Sequence, residues 1–242
     1  MLLHLVFCKY TKFKELIFMK RSELNKIMRD AVAFLDENKF LLPPFAFWTK
    51  DEWETKGHEY DEIRDNMLGW DITDFGSGEY EKIGLLMFTL RNGNYTDKKY
   101  IKPYAEKLLI VEEGQITPFH FHWSKMEDII NRGGGDLMVQ VYNSTEDGQF
   151  ADTDVEIFSD GRHYTVPAGE IVRIKPGESI SIQCGMYHKF YAEGGKTLLG
   201  EVSKVNDDRT DNRFYEKTGR FPKIEEDEAP LYLLSNEYPC AK

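Results

Sequence analysis

The residues best suited to chemistry lie between 114 and 134. Gly114 is followed by His120-Phe121-His122, then by Glu127 and a glycine run at 133–135. Two histidines two positions apart fall on one face of a β-strand, with Phe121 on the other. Glu127 lies beyond a short turn and can fold back toward them. Two imidazoles and a carboxylate form a donor set for a divalent cation such as Mn2+, Fe2+, Co2+ or Zn2+. The plain alternative is a pair of unrelated surface histidines. Farther along, Gly177 precedes Gln183-Cys184-Gly185 and His188.

These residues need a rigid scaffold, and the flanking sequence predicts one made of short strands. Candidate strands are 106–112, 116–122, 136–142, 154–158, 162–166, 170–174, 179–183, 188–192 and 197–203, with another over 83–90. Asp160-Gly161 between two apolar alternations is a hairpin signal. Many short strands at close spacing predict an antiparallel sandwich or barrel. Ahead of them, Leu24, Ile27, Met28, Ala31, Phe34 and Leu35 recur at helical spacing, with Ser22 placed as cap and Asn38 as stop. Gly76-Ser77-Gly78 reads as a plain turn, since it lacks a full dinucleotide fingerprint. The expected organisation is a non-native or variable extension over 1–18, a helix and loops over 19–99, a barrel over 100–205 and a packed tail over 206–242.

The chain has 242 residues, 31 Lys plus Arg and 42 Asp plus Glu, a formal charge of −11. That balance speaks against nucleic acid or an anionic membrane as partner. Cys8, Cys184 and Cys240 are too few and too scattered for a disulfide framework. With no membrane-length apolar run and no signal-peptide pattern, a cytoplasmic protein is expected.

The Gly114–Gly134 stretch resembles the first motif of the cupin superfamily, and Gly177 to His188 resembles the second. Gln183 and Ala192 depart from the usual second motif, where proline and asparagine are common; neither position is a metal ligand. The resemblance implies a mainly β cupin jelly-roll barrel with His120, His122, Glu127 and His188 as metal ligands. A finer resemblance spans about residues 19–239. Lys102-Pro103-Tyr104-Ala105-Glu106-Lys107, Thr117-Pro118-Phe119-His120-Phe121-His122-Trp123, Met126 to Gly135, Asp65 to Gly76 and Gly200-Glu201-Val202-Ser203 are similar to the bacterial D-lyxose isomerase family. It implies a start at Met19, Mn2+ as cofactor where ligand softness alone leaves Fe2+, Co2+, Ni2+ or Zn2+ open, a homodimer, and interconversion of D-lyxose with D-xylulose, extending to D-mannose and D-fructose. Fold alone does not name a reaction. A cupin dioxygenase and a non-catalytic sugar-binding cupin are the competing readings.

An aldose–ketose isomerase needs a metal to hold the sugar oxygens, a base to shuttle a proton, or both. Glu201 is the candidate base. Alternation groups it with Thr197, Leu199 and Ser203, either facing the interior or on a solvated face with Leu198 and Val202 inside. Lys107, opening a strand, is either a group that polarises or binds the sugar or an ordinary edge lysine. Asp207 is the substrate-binding candidate from the polar run Asp207, Asp208, Arg209 and Arg213, whose plain alternative is a solvated loop. His163 is expected at the surface, while His4 and His58 lack partners in register. Cys184 is expected as a buried structural thiol. Trp48, Trp53 and Trp70 are expected in the core or an interface, and Trp123 is a candidate for the pocket wall.

Overall fold

Alternation decides most of the architecture. Along the strand Tyr104–Val111, Leu109 and Val111 are buried on one face, and Leu108 and Ile110 on the other. A strand apolar on both faces needs cover on both. The barrel interior covers the first face and the long N-terminal helix covers the second.

The computed structural model describes residues 18–242. The expected extension, with His4 and Cys8, lies outside the described residues except for Phe18. The elements run β1 (Phe18–Lys20), α1 (Arg21–Glu37), two short helices α2 (Lys50–Trp53) and α3 (Asp61–Asp65), then β2 (Gly69–Thr73), β3 (Leu85–Arg91) and β4 (Tyr104–Val111). There follow β5 (Thr117–His122), β6 (Glu127–Ser144), β7 (Phe150–Ala151), β8 (Val155–Ser159), β9 (Arg162–Val166), β10 (Ile171–Ile174) and β11 (Ser179–Ile182). The last are β12 (Met186–Lys204), β13 (Asn212–Phe214) and β14 (Lys223–Glu225).

Among the described residues, twelve strands form one sheet, and β1 pairs with β14 in a separate parallel ribbon. All pairings between the sheet's named strands are antiparallel, as a cupin jelly-roll barrel requires. Its spine is the long ladder of β12 against β6, from Met186↔Asn143 to Ser203↔Glu127. The two strands expected at 188–192 and 197–203 are therefore one strand. Gly194-Gly195 falls at an irregularity of the ladder rather than at a chain reversal, between Glu193 and Thr197. Gly134 is required at the same place. Its φ is +95°, and a Cβ there would lie 2.0 Å from the Lys196 carbonyl oxygen. Asp160 and Gly161 take positive φ values of 51° and 79°, the turn that the β8–β9 hairpin needs.

The sheet reaches beyond the 100–205 interval expected for the barrel. β2 and β3 extend it beside β4 on one side, and β13 adds to β5 on another. β2 is buried at all five positions, so it carries no alternation to read.

Helix α1 packs Leu24, Met28, Ala31 and Leu35 against Leu86, Phe88, Leu108, Ile110 and Leu198. It begins one residue earlier than its expected cap. Ser22 is inside the helix, and its N–H and hydroxyl both donate to the Asp227 carboxylate, at 2.9 and 2.7 Å. Glu23 accepts from the Lys20 N–H at 3.0 Å. Carboxylates thus satisfy two backbone N–H groups at the helix start and favour its positive dipole end. Met28 is fully buried in this layer. Met28→Ala is expected to cost about 2–5 kcal/mol by loss of burial plus the cavity left behind, read as a lowered urea midpoint at unchanged slope.

Candidate metal centre and active site

The ladder register brings the two histidine motifs together. His188 on β12 lies opposite His120 on β5, and His122 follows two residues along the same strand. Donor nitrogens of His120, His122 and His188 all lie within 4.8 Å of one another. Glu127, first residue of β6, places Oε2 3.3 Å from His122 Nε2 and Oε1 3.3 Å from His188 Nε2. The four residues implied as ligands therefore converge, and each is at least nine-tenths buried.

Hydrogen bonding fixes the tautomers. His120 Nδ1 lies 2.8 Å from the Pro118 carbonyl, His188 Nδ1 3.1 Å from the Met186 carbonyl and His122 Nδ1 2.7 Å from Asn212 Oδ1. Those oxygens only accept, so each Nδ1 carries the proton and each Nε2 presents a lone pair inward. Burial lowers the His120 imidazole well below its ordinary pKa, and the neighbouring His188 and His122 add to this. Burial also lowers His122, reinforced by Lys125. The Nε2 atoms of His122 and His188 are buried and, among the described residues, have no hydrogen-bond partner. Lone pairs facing carboxylate oxygens with no proton between them make sense around a cation. The three histidines are thus a group that could hold a metal ion.

The second half of the site is ionic. Glu201 points inward with Leu199 and is 5% exposed, which decides between its two expected orientations. Val202 faces outward and is half exposed, and Leu198 faces outward beneath α1. Lys107 is Glu201's cross-strand partner, with Nζ 3.2 Å from Glu201 Oε1. A second ammonium, Lys125, lies 3.0 Å from Glu201 Oε1 and 2.5 Å from Glu127 Oε2. Asn206 accepts from both lysines, at 2.8 and 3.2 Å. Two buried carboxylates are thus offset by two buried ammoniums, which burial demands. Burial opposes the charge on Lys125, but Glu127 and Glu201 outweigh it and hold the ammonium protonated.

Lys125 and Asn212 were not apparent in the sequence. A lysine in a turn looks solvated, yet its two carboxylate partners leave it 2% exposed. Asn212 sits on β13, a strand of three residues inside a polar tail, where Asn212↔His122 and Phe214↔His120 register against β5. Phe214 stacks over the His120 ring with centroids 5.2 Å apart.

Asp207 stands apart from this cavity. Its carboxylate accepts from the Arg209 N–H and the Thr210 hydroxyl within its own turn, and it lines a neighbouring cleft of about 560 Å3. Its neighbour Asp208 borders both spaces, together with Arg220. Arg220 bridges Asp208 at 2.9 Å and Asp71 through a two-pronged contact. Burial raises the Asp208 carboxyl, but Lys107, Arg220 and Lys125 outweigh that and leave it far below the usual carboxylate range. A depressed folded pKa stabilises the fold above the unfolded value of about 3.9 and is lost as pH falls below it. Urea unfolding between pH 5 and pH 3 should show a shallower loss of stability in Asp208→Asn than in the parent chain.

The remaining residues lie elsewhere. Arg209 is largely exposed, and Arg213 reaches Tyr187 and the Gly148 carbonyl. His163 is exposed and stacks on Phe158, and His58 is exposed beside Asp61. Trp53 and Trp70 are core residues, as expected. Two expectations need correcting. Cys184 is exposed, because it falls in the turn between β11 and β12 and not on an inward strand position. Trp123 is 58% exposed and packs on the outward ring of Phe121, so it forms no part of the cavity wall.

Comparison with known proteins agrees with this geometry. Residues 19–238 match the family model described as D-lyxose isomerase. A D-lyxose/D-mannose isomerase of Escherichia coli O157:H7 is 44% identical over 223 residues, covering 91% of this chain and 98% of that protein. A D-lyxose/D-mannose isomerase of Serratia proteamaculans is 46% identical over 224 residues, with 91% and 98% covered. Among solved structures, an Acinetobacter sp. DL28 L-ribose isomerase in complex with L-ribose superposes with a TM-score of 0.60 at 16% identity, covering 86% of this chain and 99% of that one. An L-ribose isomerase of Cellulomonas parahominis gives a TM-score of 0.58 at 15% identity, with 87% and 100% covered. At such identities the likeness is one of fold. The chain belongs to the D-lyxose isomerase family and is a sugar aldose–ketose isomerase.

Proposed function

We propose that this member of the D-lyxose isomerase family interconverts D-lyxose with D-xylulose and D-mannose with D-fructose by proton transfer through a cis-enediol. The observation that carries the proposal is the buried Glu201 carboxylate lining the same cavity as His120, His122 and Glu127. The two aldoses share the C2 configuration at which the proton leaves, and the names of the two relatives pair the same sugars.

His120, His122, Glu127 and His188 would hold a divalent cation, with Mn2+ our choice. Such an ion would supply Lewis-acid polarisation of adjacent sugar oxygens. The protein's own groups do the rest. Glu201 takes the proton from C2 of the open-chain aldose and returns it to C1, while the O2 proton passes to O1. Lys107 donates a hydrogen bond to the oxygen on which negative charge develops. Phe75, Leu85, Met87 and Phe190 wall the cavity with apolar surface, keeping bulk water from the enediol. Asp208 and Arg220 border the cavity on the side of the 560 Å3 cleft, whose volume suits the distal carbons of a sugar. Asp207, which lines that cleft, would meet those carbons' hydroxyl groups.

The proposal includes a cytoplasmic homodimer, for which family resemblance is the support. Among the described residues no helix is long and apolar enough to cross a membrane. An inward Glu201 supports isomerisation over dioxygenase chemistry, which has no need of a base there. The test is an anaerobic assay of metal-reconstituted protein against a panel of pentoses and hexoses. Ketose formation from D-lyxose and D-mannose is expected. Absence of turnover across the panel, or turnover that requires oxygen, overturns the proposal.

A further inference from the structure

The pairing of β5 with β12 slips by one residue at a telling place. His188 lies opposite His120, and Phe190 lies opposite Thr117. Two steps along β12 therefore match three along β5, a β-bulge over Pro118-Phe119. Strict alternation would put Thr117 and His120 on opposite faces of the strand. The bulge re-aims Thr117, so that its side chain shares the inner face with Phe190 and the metal-site histidines. Thr117 is 2% exposed and lines the same cavity as Glu201 and Lys107. Among the described residues its hydroxyl oxygen has no hydrogen-bond partner. A buried orphan hydroxyl is costly, and native proteins retain one where a ligand or water completes it.

We infer that the Thr117 hydroxyl is a substrate contact, hydrogen-bonded to a hydroxyl of the open-chain sugar and discriminating against sugars that lack it there. The inference rests on the proposed isomerase activity and adds a specificity residue to it. A site built to bond a hydroxyl rejects the analogue without it, because its own polar group is then left unpaired.

The experiment compares the full-length, metal-reconstituted parent chain with Thr117→Val and Thr117→Ser. Valine keeps the shape and removes the hydroxyl, whereas serine keeps the hydroxyl. Thr117→Val should lower kcat/KM for D-lyxose by about 10–100-fold, with metal content unchanged. It should also raise the melting temperature by about 2–4 °C, since the unpartnered oxygen is replaced by a methyl group. Thr117→Ser should stay close to the parent in activity. Assays with D-lyxose analogues deoxygenated at C3, C4 or C5 identify the contact. For one of them the parent chain and Thr117→Val should become equal, while the others keep the full difference.

Unchanged kinetics in Thr117→Val would show that the hydroxyl meets only water and would overturn the inference. An equal loss with every deoxy analogue, or a loss that tracks metal content, would overturn it too. A parent chain that turns over none of the natural sugars would instead bring down the isomerase proposal itself, and the two failures are told apart by that control.

Discussion

Replacing Glu201 by glutamine should lower kcat by about 10²–10⁴-fold, the span associated with general acid–base catalysis, at unchanged metal content. Glutamine keeps the size and the acceptor facing Lys107 and Lys125 but cannot take a proton from carbon. The carboxylate stands within reach of both ammoniums, at 3.2 and 3.0 Å. The variant therefore leaves two buried cations short of one counter-charge, and some loss of thermal stability should accompany the loss of rate. Lys107→Met should differ. It removes a donor to the sugar and a partner of Glu201, so KM should rise together with a smaller fall in kcat. Isomerisation in deuterium oxide separates the routes. Deuterium from solvent appearing at C2 of the recovered aldose supports Glu201 as the shuttle. Complete retention of substrate hydrogen, with a mild Glu201→Gln defect, would point to a hydride shift.

What the sequence made legible follows from which signals are local. Most strands between 104 and 204 could be read because they alternate or are closed by Gly, Pro or Asp-Gly, although Gly194-Gly195 gives a false break inside the single strand β12. The helix could be read because its apolar positions repeat within one element. Ser22 could not be read correctly, since the carboxylate that bonds it, Asp227, lies 205 residues away. β13 is three residues long and acquires its meaning only by pairing with His122 and His120. Lys125 is invisible for the same reason. Its burial depends on Glu201, 76 positions away, as much as on Glu127 beside it. Cys184 and Trp123 were misjudged because motif resemblance places a segment without settling which way a side chain in a turn points. His120 and His122 were legible because strand spacing puts both on one face, Glu127 because a short turn lets it fold back toward them, and His188 only through the resemblance to the second cupin motif. The bulge before His120 hid Thr117 because it breaks the alternation.

Removing the proposed metal, or one of its proposed ligands, should have the second large effect. Chelation of the purified protein, and His188→Ala, should each lower turnover by about 10³-fold or more, because a Lewis acid contributes several kcal/mol to stabilising developing charge and each 1.36 kcal/mol is a factor of ten. Adding Mn2+ back should restore the chelated parent chain but not His188→Ala. Metal analysis gives a readout independent of turnover, and Asn212→Ala supplies an intermediate. It leaves all four proposed ligands in place but removes the acceptor that orients His122, 2.7 Å from its Nδ1, so metal affinity should fall by about 10–100-fold. The fold should survive in every case. The barrel interior beyond the site is filled by Val139, Val141, Ile157, Ile174, Ile180 and Leu199, all nearly or fully buried, so its packing does not depend on an ion. Without the cation, Glu127 still has the Lys125 ammonium 2.5 Å away to balance its charge. Circular dichroism of the chelated protein should match the loaded form, with only a lower melting temperature from the lost ligation. A chelated chain that unfolds outright would show that the cation is a structural element of the barrel as well as part of its chemistry.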